Sequence, residues 1–184
     1  MTDLAIIGLL VVYFAIGYWT GIIRRIIGFV AVYLAFFAAT QSAPTAASVV
    51  LQVVPDWAVS DALMLGYFMV VVFVIVLAEV LATLYHGSLQ LAAVLVDRGS
   101  GAVLGVVTAL LGGAVALSLL LGASQPELIS PDGAQIQIHD AINKSVLGPV
   151  LVGSLGRLAK LVFLPVIPND AATYFNAQQA RIQH

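Results

Sequence analysis

The stretch from Gly101 to Ala123 contains no charged residue, and nothing else in the chain limits its fold so sharply. About 20 consecutive apolar residues cross the hydrocarbon core of a bilayer as a helix. In lipid each backbone N–H and C=O has to find its partner inside such a helix or a closed barrel. Three more stretches of this kind come earlier in the chain. Leu4 to Ile23 is closed by Arg24 and Arg25, and Ile22 to Ala43 is long enough if those arginines snorkel toward the surface. Ala62 to Tyr85 is interrupted only by Glu79. Four spans are therefore expected, in an all-α polytopic transmembrane bundle over residues 1–124.

Composition closes off the competing classes. Of 184 residues, 61% are hydrophobic and 9% charged, with a mean hydropathy of +1.08. A soluble domain carries roughly 25% charged residues, so this chain cannot cover a water-facing surface. The formal net charge is −2 and no basic run exists. That argues against nucleic acid, which needs a basic footprint, and against a polybasic lipid anchor. There are no cysteines, which excludes disulfides and thiolate metal sites. Met1-Thr2-Asp3 carries no positive charge and no small-residue cleavage site follows the first run, so that run reads as a retained helix.

Local signals set the expected boundaries. Asp3 stands where an N-cap acceptor would serve the first helix, and Ser60 or Asp61 where one would serve the third. Pro44 should kink or end the second helix, leaving Thr45 to Val54 as an extra helical piece near the outer interface. The short run Leu89 to Val96 is interfacial or protein-buried. Gly99 or Ser100 should cap the fourth span. Beyond it, residues 125–184 read as an extracytoplasmic segment. Residues 127–144 are polar, with a turn at Asp132-Gly133. Residues 145–164 form an amphipathic helix on the outer membrane surface, with Pro149 in its first turn; a fifth span is the second choice. Pro165 and Pro168 end it, and a polar tail follows.

Arg24 and Arg25 in the first connection and Arg98 in the third make those connections cytoplasmic, because the second has no Lys or Arg. Both termini are then extracytoplasmic. Trp19 and Tyr85 on the inner side and Trp57 on the outer side suit interfacial aromatics.

Small residues form the clearest internal pattern. Gly101, Gly105, Ala109 and Gly113 make a stripe on the fourth span, and Gly17 and Gly21 a second pair on the first. Such spacing lets helix backbones approach closely, either inside the bundle or at an oligomer seam. Glu79 is the sharpest polar feature, since a carboxylate within a span costs about 2.5–3.5 kcal/mol at its centre on insertion scales. It is placed to meet Arg24, Arg25 or Arg98 in a structural pair, or else to handle a proton or substrate. His86, His139 and His184 do not cluster, and no nucleophile elbow or HExxH string exists. No catalytic residue, cofactor or metal is expected.

The order of these landmarks resembles the colicin V production protein family. Asp3 opens an apolar run; Gly17-Tyr18-Trp19-Thr20-Gly21 with Arg24-Arg25 is similar to the family's G-x-x-x-G-basic hinge. Val96-Asp97-Arg98 with Gly101 and Gly105, and Ser145-Val146-Leu147-Gly148-Pro149, resemble two further signatures. The resemblance implies a bacterial inner-membrane protein linked to toxin production and secretion and to envelope physiology, with no established enzymatic activity. Some relatives carry a fused periplasmic serine protease, for which this chain has no room after residue 124. The expected role is a non-enzymatic scaffold or accessory subunit, in contact with the bilayer and with copies of itself or other membrane proteins. A transporter or channel component using Glu79 is one alternative. A structural subunit of a respiratory, photosynthetic or secretion complex is another.

Overall fold

Gly21 decides how the first third of the chain is laid out. The computed structural model describes residues 2–84, 94–125, 133–164, 166–168 and 170–183. Its first helix, α1 (Thr2–Val53), has one non-helical residue, Gly21, at φ 77° and ψ 176°. That region of backbone space is essentially reserved for glycine. The chain reverses there. Residues 6–21 descend along α3 (Val94–Ala123), with Ile6 grouped with Leu117, Tyr13 against Gly105 and Gly17 against Gly101. Residues 22–53 instead run parallel to α3, Ile22 bonding to Asp97 and Val32 lying against Gly112. So α1 comprises two antiparallel limbs, 2–20 and 22–53, that share α3 as a common wall.

The helix α2 (Val59–Leu84) runs back along the second limb. At its start Gly66 sits so close to Ala47 that a Cβ there would lie 2.8 Å from the Ala47 nitrogen. At its far end Glu79 reaches Arg24 and Arg25. The outer face of α2, including Phe73, Val76, Val80 and Leu84, is exposed and apolar, as a lipid-facing surface must be. These helices are long and apolar enough to cross a membrane, and a bent pair further on adds one more candidate. The fold is all-α and polytopic.

Pro44 does not end the helix. The second limb continues through it to Val53, so Thr45 to Val53 is no separate piece. The missing proline N–H leaves the Thr40 carbonyl without its usual partner four residues on. The Tyr174 hydroxyl donates to that carbonyl at 2.7 Å. Burial of Ala43, Ala47 and Val50 supplies packing on both sides of the proline. Two caps also differ from expectation. α3 begins at Val94, which puts Gly99 and Ser100 inside the helix with Asp97 in its first turn. Asp3 serves another helix: its carboxylate accepts the Val146 and Leu147 N–H groups at 3.2 and 2.8 Å.

The remaining chain assembles at the Asp3 end. The polar stretch holds α4 (Gly133–Asn143), and the amphipathic stretch is built from three pieces. These are α5 (Leu147–Val150), a π-helical turn (Leu151–Leu155) and α6 (Gly156–Phe163), bent by 80° from α4. Phe163 is fully buried, its ring 6.1, 5.6 and 5.7 Å from those of Phe29, Tyr33 and Phe36. At 1.5 Å per residue Tyr33 lies about 16 Å from Ile22, close to half of a 30 Å hydrocarbon core. The amphipathic stretch therefore packs down the side of the bundle. The expected polar tail is a helix, α7 (Ala171–Gln183), docked through buried Phe175 and Gln179. Asp170 caps it by accepting from the Ala172 N–H at 3.1 Å and the Thr173 hydroxyl at 2.6 Å.

Candidate functional site: the glycine hinge and its arginine pair

Two glycines on each helix let limb 2–20 and α3 touch backbone to backbone. A Cβ at Gly17 would lie 2.9 Å from the Gly101 carbonyl carbon, and one at Gly101 would lie 2.7 Å from that of Gly21. A Cβ at Gly105 would come within 3.1 Å of the Tyr13 carbonyl carbon. No side chain fits at these points without moving backbone. The stripe loosens along α3: Ala109 is buried, while a Cβ at Gly113 would make an ordinary 3.8 Å contact with Leu9. Between limb 2–20 with its hinge and α3, tight approach is thus confined to Gly17, Gly21, Gly101 and Gly105. It lies inside one chain.

The reversal at Gly21 strands the first N–H groups of limb 22–53, as every helix start does. Asp97, from the first turn of α3, accepts the Ile22 N–H at 2.9 Å. Its carboxylate fills the space that a Gly21 side chain would occupy. One residue thereby caps the second limb and explains why position 21 has to be bare. A carboxylate at a helix N-terminus is also favoured by the helix dipole.

One turn further on, Glu79 ties α2 to the hinge. Its Oε1 accepts from Arg25 Nη2 at 2.8 Å, and its Oε2 from Arg24 Nη2 at 3.3 Å. Arg24 also donates to Thr83 Oγ1 at 2.6 Å. The Arg25 side chain is only 2% exposed, and its guanidinium lies 6.0 Å from the centre of the Tyr13 ring, within cation–π range. Two arginines thus share one carboxylate that is itself 31% exposed. Arg98 does not join them; it faces the Tyr18 ring at 5.9 Å. Trp19, two residues before Gly21 in the chain, is 75% exposed.

Of the expected site residues, the structure gathers Gly17, Gly21, Asp97, Gly101 and Gly105 at one crossing, with Arg24, Arg25 and Glu79 one turn away. His86, His184 and Tyr85 lie outside the described residues. His139 is on α4, within 3.3 Å of Asn143. No three His, Asp or Glu side chains gather as metal ligands among the described residues. Sequence reasoning missed Gly66 and Gly122, each at a close approach, and Tyr174, which completes the backbone bonding at Pro44. Gly66 is a lone glycine without a partner four residues away, and Tyr174 stands far from Pro44 in the chain, so neither carried a readable pattern.

A bundle of long apolar helices, with its charges concentrated at one hinge and in its peripheral helices, defines a multi-pass helical membrane protein. The family model for the colicin V production protein matches residues 2–155, and the chain belongs to that family. The match includes the hinge, Asp97, Glu79 and the whole π-helical turn, and ends where α6 begins. Comparisons with curated proteins and with solved structures give no match.

Proposed function

We propose that this protein is a non-enzymatic scaffold or accessory subunit of the bacterial inner membrane, serving the toxin production and envelope physiology that its family's name implies. The observation that carries the reading is the use already made of the hinge carboxylates. Asp97 caps Ile22, and Glu79 is held by two arginines. A proton relay needs a carboxyl free to change partners, whereas these two hold helices together. What remains for partners is surface: the exposed apolar face of α2 and the short helices at the Asp3 end. Positive residues at the hinge favour a cytoplasmic hinge and extracytoplasmic termini.

Purification in mild detergent followed by mass spectrometry tests this reading. A lone oligomer is the expected result; a stoichiometric large partner would favour a structural subunit of a larger complex. Proton or solute flux in liposomes that disappears with Glu79→Gln would replace the scaffold by a transporter. An alkaline phosphatase fusion at His184 should be active; an inactive fusion would invert the topology.

A further inference from the structure

A cleft of about 520 Å³ opens between α3, the π-helical turn with α6, and the start of α7. Ser118, Gln125, Gly153, Arg157, Lys160 and Asp170 line it. The π-helical turn shapes its wall. Gly153 faces empty space, and a Cβ at Gly156 would meet nothing nearer than the Ser118 hydroxyl at 3.8 Å. Turns of this kind are frequent at functional sites.

The charge in this cleft is unbalanced. Arg157 and Lys160 lie three residues apart on α6, on one face of the helix, and neither forms an ion pair among the described residues. Asp170 is the acidic residue of the lining: both of its oxygens cap α7 and the Lys160 charge acts on its carboxylate, so the lining keeps an excess of one positive charge. Two cations with unspent donors thus face a recess that also offers a hydroxyl and an amide. Leu158 and Leu161 on the same helix, and Leu164 just after it, are exposed and apolar. A ligand with one charged end and one oily end fits both faces.

The level of the cleft agrees with that. Asp97–Ala123 has 27 residues, so it is about 40 Å long and spans the bilayer with its headgroup layers. Ser118 lies about 8 Å below Ala123 on the same count, near the boundary between acyl chains and headgroups. Long basic side chains there reach phosphate by snorkelling.

We propose that this cleft is a binding site for a phosphoryl anion, gripped by Arg157 and Lys160 and carried on the headgroup of an anionic phospholipid. Guanidinium and ammonium donors make charge-assisted bonds to phosphate oxygens; Gln125 can donate or accept, and Ser118, whose hydroxyl proton goes to the Ala114 carbonyl, can accept from a headgroup hydroxyl. The site is separate from the hinge and does not depend on the scaffold reading.

The test uses the full chain, delipidated in neutral detergent, with bound lipid counted by native mass spectrometry and protection read as a shift in thermal unfolding. Phosphatidylglycerol should bind and raise the unfolding temperature, while phosphatidylcholine, whose choline cation the arginine and lysine repel, should do neither. The pair R157Q and K160Q together should weaken phosphatidylglycerol binding by at least about tenfold. R157K with K160R, which keeps both charges, should preserve it and controls for folding. If millimolar inorganic phosphate gives the same protection, the phosphoryl site stands and its source is aqueous. Equal phosphatidylglycerol retention by wild type and the doubly neutralised variant would overturn the proposal.

Discussion

At the Gly21 end, glycines on two long helices interlock along consecutive turns; at the Asp3 end, isolated glycine contacts at Gly122 and Gly148 are joined by hydroxyls, caps and aromatic rings. At the hinge Gly17, Gly21, Gly101 and Gly105 interlock, and Asp97 fills the space beside Gly21, leaving an open apolar groove on the outer side between Ile22 and α3. The opposite end keeps a cleft lined by Arg157 and Lys160, which form no ion pair within salt-bridge distance among the described residues, and a π-helical turn. The difference follows from what each end can use. With lipid removing the hydrophobic drive between helices, close packing of small residues is what joins long spans. Short amphipathic pieces lack such contact length and rely on specific polar bonds. Close backbone packing along consecutive turns therefore collects at the hinge, and the cationic cleft at the other end.

The largest effect should come from filling the hinge. Gly101→Val should destabilise by at least about 3 kcal/mol, the upper range for overpacking, because its Cβ meets the Gly17 and Gly21 backbone. Chemical unfolding in micelles measures it, and a cost below 1 kcal/mol would mean the two ends are equally loose. Glu79→Ala should follow, near the lower end of the roughly 3–5 kcal/mol lost when a buried pair is broken. It strands the buried Arg25, while the partial exposure of Glu79 moderates the loss. Glu79→Gln should retain part of that stability by hydrogen bonding.

Asp97→Ala removes a cap and should cost about 1–2 kcal/mol. Its signature is faster amide exchange at Ile22, with α7 unaffected. The smallest effect belongs to the far end. Tyr174→Phe leaves the Thr40 carbonyl without its donor and should cost about 1 kcal/mol, read as earlier proteolysis of α7. The same contact makes α7 sensitive to base. Burial raises Tyr174 from 10.0 to about 12. Its contribution should be complete below pH 10 and lost as pH rises through about 12, which tyrosinate absorbance would follow. Release of α7 already at pH 8 would break the assignment.

The helical spans were legible because lipid solvation is read one segment at a time: apolar length alone marks Ala62 to Tyr85 and Gly101 to Ala123. The hinge was partly legible, since glycines four apart and an Arg-Arg pair are local patterns. The pairing of Glu79 with Arg24 and Arg25 was one of several arrangements open to that carboxylate. Pro44 shows the opposite case. Its local chemistry predicts a kink or an end, yet the helix continues, with burial of Ala43 and Ala47 on either side and a tyrosine from α7 donating to the freed carbonyl. The terminal helix was read as a tail because α7 has few apolar residues of its own; Phe175 is buried by contacts with Tyr67 from α2.

By itself, the sequence determined that this chain lives in a bilayer as apolar helices, and where its positive charges interrupt them. Solvent transfer is summed residue by residue along a segment, so no partner need be known. Only the tertiary structure decided that Gly21 is a reversal, that Asp97 and Asp3 cap helices far from their own, and that Arg157 and Lys160 share a cleft. Each of these depends on which groups distant in the chain come within hydrogen-bonding or contact distance. No local pattern encodes that distance.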